Sequence, residues 1–395
     1  MTNKEIIDLT EAHVLNTYRR FPVAMVRGQG TRVWDASDKE YLDFTSGIAV
    51  CNLGHCHMAV VKAIQEQADK LIHISNLYHI EPQARLAKLL TESSFAEKVF
   101  FCNSGAEANE AAIKLARKFF SDKGQRRFKV LSMEKSFHGR SFATLAATGQ
   151  EKVRKGFEPF LEKFTYIPFN DLEAVKGAID SETAAVMVEP IQGEGGVNLP
   201  DPGYLKGLKD ICEQAGVLLI FDEVQVGVGR TGKLFAYEHY GTTPHIMTLA
   251  KALGGGMAIG AMLVDDEVAG AFGPGSHAST FGGNPLATAA AHATLRTILD
   301  EGLLGNCVTM GEYILSKLRS LKEKYSFIRN VRGKGLIIGM EVEAPVGEIV
   351  GACLDKGLLV IAAGDNVLRF LPPLTVSAKE VDEMVKILDD VLTFF

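Results

Sequence analysis

The sequence predicts an α/β fold: a large body built on a mostly parallel central sheet between helices, plus a smaller α/β body drawn from both termini. Short apolar runs end abruptly in turn residues. Gly216-Val-Leu-Leu-Ile-Phe221 stops at Asp222 and Glu223, and Ile246-Met-Thr-Leu-Ala250 stops at Lys251 and a glycine cluster. Runs of this kind read as buried strands of a parallel sheet. Between them lie segments with helical spacing of apolar residues. A chain of 395 residues is also too long for one simple core. We expect residues 1–55 to join the smaller body, 56–285 to form the large one, and 286–395 to complete the smaller one.

Taken in order, residues 1–20 read as helical and polar. Val33–Asp35 and Glu40–Phe44 alternate around the turn Ala36–Lys39, a β-hairpin. Helices are expected at 58–72 and 81–93. Val99–Cys102 reads as a strand, the turn Asn103–Asn109 follows, and a helix runs from about Ala108 to Phe120. Strands follow at Phe128–Ser132, Ala184–Pro190 and Ala258–Val264, with a helix near 203–214. Past Asn284 the pattern changes to helices at 285–301 and 308–323, and strands at 328–332 and 336–342. A helix at 346–356 and strands at 358–361 and 367–370 come next. A final helix spans Val376–Phe395, with Ser377 and Glu380 as its capping box.

Composition narrows the function classes. Hydrophobic content of 47% with 23% charged residues is that of a globular protein. The formal net charge of −6 and the lack of a basic patch argue against nucleic acid and anionic membranes as partners. No apolar run is long enough to span a bilayer, and the first residues lack a signal-peptide core, so a cytoplasmic location is expected. The six cysteines lack metal-ligand spacing and read as reduced thiols. The crowded Cys51 and His55-Cys56-His57 group is not expected to hold zinc, so no metal site is expected.

The chemistry-bearing residues fall at strand ends, where ligands of open α/β sheets bind. Asp222 and Lys251 are expected at one rim. A lysine buried beside glycines can lose its proton and form a Schiff base with a carbonyl. An acid at a strand end can pair with a protonated pyridine nitrogen. Together they match the needs of pyridoxal phosphate. The alternative is a buried Asp222–Lys251 ion pair without a cofactor. The Ser104 turn opens a helix and can take a phosphate on free N–H groups, or be simply a capped helix start. Phe137 can cover a ring face or pack in the core, and His138 stands beside it. Arg140 can clamp a carboxylate or pair at the surface. Glu194, in a glycine-rich loop, can shutter an arginine or be solvated. Thr280 offers a hydroxyl and a backbone donor.

With these residues in view, the chain resembles the class III aminotransferases, enzymes of PLP-dependent transferase fold type I. The resemblance runs through DFTSGIAVCNLGHCH, FFCNSGAEANEAAIKLAR, SFHGRS, VEPIQGEGG, IFDEVQVGVGRTGKLFA, LAKALGGG, STFGGNP and RFLPPL. It implies that Lys251 joins the cofactor and shuttles a proton, and that Asp222 holds the pyridine nitrogen. Val224 would contact the cofactor, and Gln225, the next residue, would bond the ring's phenolic oxygen. Ser104, Gly105 and Ala106 would bind phosphate, and Phe137 would stack with His138 nearby. Thr280, beside Ser279, would reach the neighbouring subunit's phosphate, which implies a homodimer with shared sites. Arg140 and Arg369 would hold carboxylates, with Glu194 gating Arg369. The implied reaction transfers an ω-amino group to 2-oxoglutarate. Gly47-Ile-Ala-Val50 is similar to members acting on N-acetylornithine, with succinylated donors as second substrates. Members taking free ornithine carry a tyrosine aligned with Ile48. Ornithine or 4-aminobutyrate as donor, or an aminomutase or racemase on the same fold, are the alternatives. A non-catalytic binding protein on this fold would not need both Lys251 and Asp222.

Overall fold

The computed structural model describes all 395 residues. Near the N-terminus β1 (Met25–Gln29), β2 (Arg32–Asp35) and β3 (Glu40–Asp43) form an antiparallel meander. The β2–β3 hairpin turns through Asp38 in a left-handed conformation, φ 60°, a geometry that Asp tolerates better than most residues. The helix expected over residues 1–20 covers only Asn3–His13, with Val14 already extended.

Asp43 ends β3 buried, and its carboxylate accepts from Thr45 N at 2.7 Å, Ser46 N at 3.1 Å and His55 Nε2 at 2.7 Å. Hydrogen bonds from Asp43 and then Cys51 raise His55 to about 10, against burial. Stability from this pair is fully present below His55's ordinary value of 6.5 and is lost as pH rises through about 10. We expect His55→Gln to cost about 1–2 kcal/mol at pH 6, the partly solvated pair being screened. Thermal unfolding measured across pH should show the deficit shrinking steadily to alkaline pH.

The central sheet holds seven strands. They are β4 (Lys98–Cys102), β5 (Lys129–Met133), β6 (Phe164–Ile167), β7 (Thr183–Val188), β8 (Leu218–Asp222), β9 (Ile246–Leu249) and β10 (Gly260–Val264). Their spatial order is β4-β10-β9-β8-β7-β5-β6, and only β10 runs against the rest. All of β7 is buried, as expected for a strand covered on both faces. Alternation decides which helix each residue meets. Ala185 and Met187 face the helix Gly105–Asp122, while Val186 and Val188 face Tyr204–Ala215. Each fully buried Val or Leu here contributes roughly 1.5–3 kcal/mol.

Five further strands follow: β11 (Ile328–Lys334), β12 (Ile337–Val342), β13 (Leu358–Leu359), β14 (Ile361–Ala363) and β15 (Val367–Phe370). The strand expected over 358–361 is two strands. β13 joins the N-terminal meander parallel to β3, whereas β14 pairs antiparallel with β15. An apolar run encodes burial, and burial is available in both sheets. Among the elements without a sequence expectation are the edge strands β1, mostly exposed, and β6, and the short helices Phe142–Ala147 and Leu172–Ala178. Helices Pro285–Asp300, Leu303–Lys324 and Ala378–Leu392 pack with the flanking sheets into one continuous core.

Candidate active site

Parallel strands place their C-terminal ends on one rim, and the loops leaving that rim converge. In the β8–β9 pair Asp222 lies opposite Thr248, three residues before Lys251. β4 delivers Ser104–Ala106, β5 delivers Phe137–Arg140, and β7 delivers Glu189 and Glu194. These residues line one cavity of about 430 Å³, with Val50 in its wall. Its size suits a small aromatic phosphate.

Asp222 is buried and held by three donors. His138 Nδ1 lies at 2.7 Å, Asn109 Nδ2 at 2.8 Å and Val224 N at 3.0 Å. Because a carboxylate only accepts, His138 Nδ1 must donate, which leaves His138 Nε2 buried without a partner. Thus His138 stands behind Asp222 and fixes it. Asn109 is fixed in turn by Thr248 Oγ1 at 2.7 Å. Glu223 turns away and accepts the N–H groups of Ala236 and Tyr237, and burial pushes it up to about 8.

Lys251 forms no ion pair. Asp222 pairs with His138 and Glu194 with Arg369, so the buried Asp–Lys pair is not what the fold builds. Burial lowers the Lys251 amine, outweighing the pull of Glu194 and Asp222. The residue sits at φ 44°, a sparsely populated region for lysine. The amine that results has no ion-pair partner and faces the cavity.

The phosphate turn combines both sequence readings. The helix starts at Gly105, three residues earlier than expected, and Ser104 Oγ accepts from Glu107 N at 3.2 Å as its cap. The N–H groups of Gly105 and Ala106 have no acceptor, so two donors at the positive end of an 18-residue helix face the cavity. A side chain at Gly105 would collide with Val224 Cγ1 at 2.7 Å. Uncommitted amine, triply held acid and free N–H pair together fit pyridoxal phosphate.

Arg369, 1% exposed, is the penultimate residue of β15 and lies behind Glu194, which lines the cavity. Its Nη1 donates to Glu194 Oε1 and to Gln225 Oε1, each at 2.8 Å. Gln225 Nε2 donates to Glu194 at 3.1 Å. Gln225 thus joins this network while also lining the cavity. Burial raises Glu194, but Arg369 overrides it and brings it to about 2. Arg140 is exposed at the mouth, its guanidinium 5.7 Å from the Phe137 ring centroid.

Three expected residues lie outside this cavity: Arg369, behind Glu194, and the neighbours Ser279 and Thr280. Thr280 is exposed, and Ser279 Oγ accepts from Asn103 Nδ2 at 3.1 Å. Glu189 was missed by the sequence reading. It is buried, accepts from Phe137 N at 3.0 Å and lines the cavity, and burial followed by Asp222 raises it well above the ordinary range. Its position at the C-terminal end of β7 was the available signal.

Comparison with known proteins gives a consistent result. Residues 14–392 match the family model described as Aminotransferase class-III. The acetylornithine aminotransferase of Caldanaerobacter subterraneus subsp. tengcongensis is 53% identical, over 98% of this chain and 99% of its own. The acetylornithine aminotransferase structure from Elizabethkingia anophelis superposes with a TM-score of 0.90 at 34% identity, covering 100% of both chains. An ornithine aminotransferase structure from Toxoplasma gondii, with pyridoxal phosphate at partial occupancy in its active site, gives 0.95 at 34% identity over 99% of this chain and 94% of that one. On these grounds the chain belongs to the class III aminotransferases.

Proposed function

We propose that the protein uses pyridoxal phosphate to move the ω-amino group of N-acetylornithine to 2-oxoglutarate, giving N-acetylglutamate 5-semialdehyde and glutamate in arginine biosynthesis. The observation that carries this reading is the uncommitted Lys251 amine beside a closed Glu194–Arg369 pair. When bound, the cofactor supplies an aldehyde that accepts and releases an amino group, and a ring that draws electron density. Lys251 takes a proton from the carbon bearing the amino group and returns it. Asp222 holds a positive ring nitrogen, and the N–H groups of Gly105 and Ala106, with Ser104, seat the phosphate.

The two half-reactions present different ends to one site. An ω-amine donor brings no carboxylate next to its reacting carbon, so Glu194 stays closed and neutralises Arg369. 2-Oxoglutarate brings one, and Arg369 must be released to receive it. Arg140 at the mouth suits the donor's distal carboxylate. We expect Arg140→Ala to raise KM for N-acetylornithine about tenfold or more with kcat little changed; steady-state kinetics on the donor checks this.

Support for an acylated donor comes from the 53% identical relative and from Ile48, which is apolar and half-exposed two residues before Val50. Succinyl-diaminopimelate is a further candidate donor. We also propose a homodimer with shared sites and a cytoplasmic location. Thr280 is exposed beside Phe281, 61% exposed, and Asn76 ties that loop to the segment bearing Leu77, 85% exposed. These apolar groups fit the face of a second copy that would lend Thr280 to its neighbour's phosphate. No helix is long and apolar enough to cross a membrane. The deciding experiment reads glutamate formed from 2-oxoglutarate with N-acetylornithine, ornithine and 4-aminobutyrate. Equal efficiency on free ornithine would overturn the acylated-donor reading.

A further inference from the structure

The loop bearing Glu194 is a thin partition. One side faces the active-site cavity, and the other faces a polar cleft of about 840 Å³ walled by Glu194, Gly195 and Arg332. The loop closes on itself at its base, where Gln192 and Asn198 exchange backbone hydrogen bonds of 3.0 and 3.1 Å. At its tip the backbone is strained. Gly196 sits at φ 116°, and Val197 is left-handed at φ 55°, which a β-branched residue rarely adopts. Something outside the loop must hold it there.

Arg332, on β11, supplies that hold. Its Nη2 donates to Gly196 O at 2.7 Å and its Nε to Val197 O at 3.0 Å. The remaining branch, Nη1, is fixed by Glu341 Oε2 at 2.5 Å. The planar guanidinium thus spans two successive carbonyls with a fork pre-organised for the task, whereas a lysine ammonium is a flexible point charge. Gly364 N adds a third contact, donating to Glu194 O at 2.9 Å. The three contacts to the loop are all to its backbone, and neither Arg332 nor Gly364 lines the active-site cavity.

We propose that Arg332 is a positioning residue for the Glu194 gate: it keeps the 192–198 loop seated so that Glu194 closes on Arg369, and thereby sets the balance between the two half-reactions. The inference rests on the gate role proposed above for Glu194. Loosening the loop lets Glu194 withdraw toward the polar cleft. Arg369 is then free more often, which favours the dicarboxylate and leaves an unmatched charge beside the ω-amine donor.

The test uses the full-length holoenzyme and three variants: Arg332→Ala, Arg332→Lys and Glu194→Gln. Single-turnover rates are measured separately with N-acetylornithine and with glutamate, and amide hydrogen exchange is followed over residues 193–198. Arg332→Ala is expected to shift the ratio of the two kcat/KM values toward glutamate by about tenfold, roughly the worth of one charge-assisted hydrogen bond. Loop exchange should quicken, and Arg332→Lys should fall between. Equal loss in both half-reactions with unaltered loop exchange would overturn the proposal. Should Arg332→Ala not fold, Arg332→Lys decides by the same two readouts. If Glu194→Gln moves the ratio and the Arg332 variants do not, the gate stands and the positioning role falls. If Glu194→Gln also leaves it unmoved, the gate reading fails with it.

Discussion

Lys251→Ala is expected to lower glutamate formation by about 10⁴-fold or more, since the variant lacks both the amine that joins the cofactor and the base that moves the proton. Binding of the cofactor should largely survive. On the proposed roles, the N–H groups of Gly105 and Ala106 and the acid at Asp222 would hold it through contacts separate from Lys251. The fold should tolerate the change too. Lys251 forms no ion pair to leave broken, and removing a buried amine relieves a desolvated group. Two measurements check this: turnover read as glutamate, and the visible absorbance of the purified protein, which should lose the yellow band of a lysine-linked cofactor. Turnover within tenfold of wild type would remove Lys251 from the chemistry.

Asp222→Ala is the second large effect, with an expected rate loss of about 10³-fold and a smaller loss of cofactor affinity. The acid's work is to hold positive charge on a ring nitrogen during the reaction, so its removal acts on the rate more than on binding. The surroundings add a structural cost absent from Lys251→Ala. His138 Nδ1, Asn109 Nδ2 and Val224 N all aim at this carboxylate. Stripping it leaves three buried donors, at roughly 1–3 kcal/mol each for those that find no water. Unfolding midpoints measured beside the kinetics separate the two effects. A variant with a lowered midpoint but an unaltered rate would contradict the role at the ring.

Much of the site was legible because chemistry there demands particular residue types at strand ends. Asp222 and Lys251 each stop an apolar run, and Ser104 follows a strand and opens a helix. Parallel strands bring such ends together whatever lies between them in sequence. Less legible were residues whose task is set by what they touch. Asn109 and Thr248 look like ordinary polar residues inside a helix and a strand, yet they form a buried relay to Asp222. His138, expected at the cofactor, lines the cavity and also donates to the acid, a contact that no spacing along the chain announces.

By itself the sequence determined the α/β class, the hairpin, the apolar strands and which side chains stand at their ends, because periodicity and turn chemistry are local properties. Tertiary structure alone decided that one apolar run, 358–363, would serve two sheets. It alone decided that Lys251 would stay unpaired while Arg369, 175 residues from Glu194, would not. Charge pairing and desolvation depend on distance in space, and no spacing along the chain encodes them before the strands have packed.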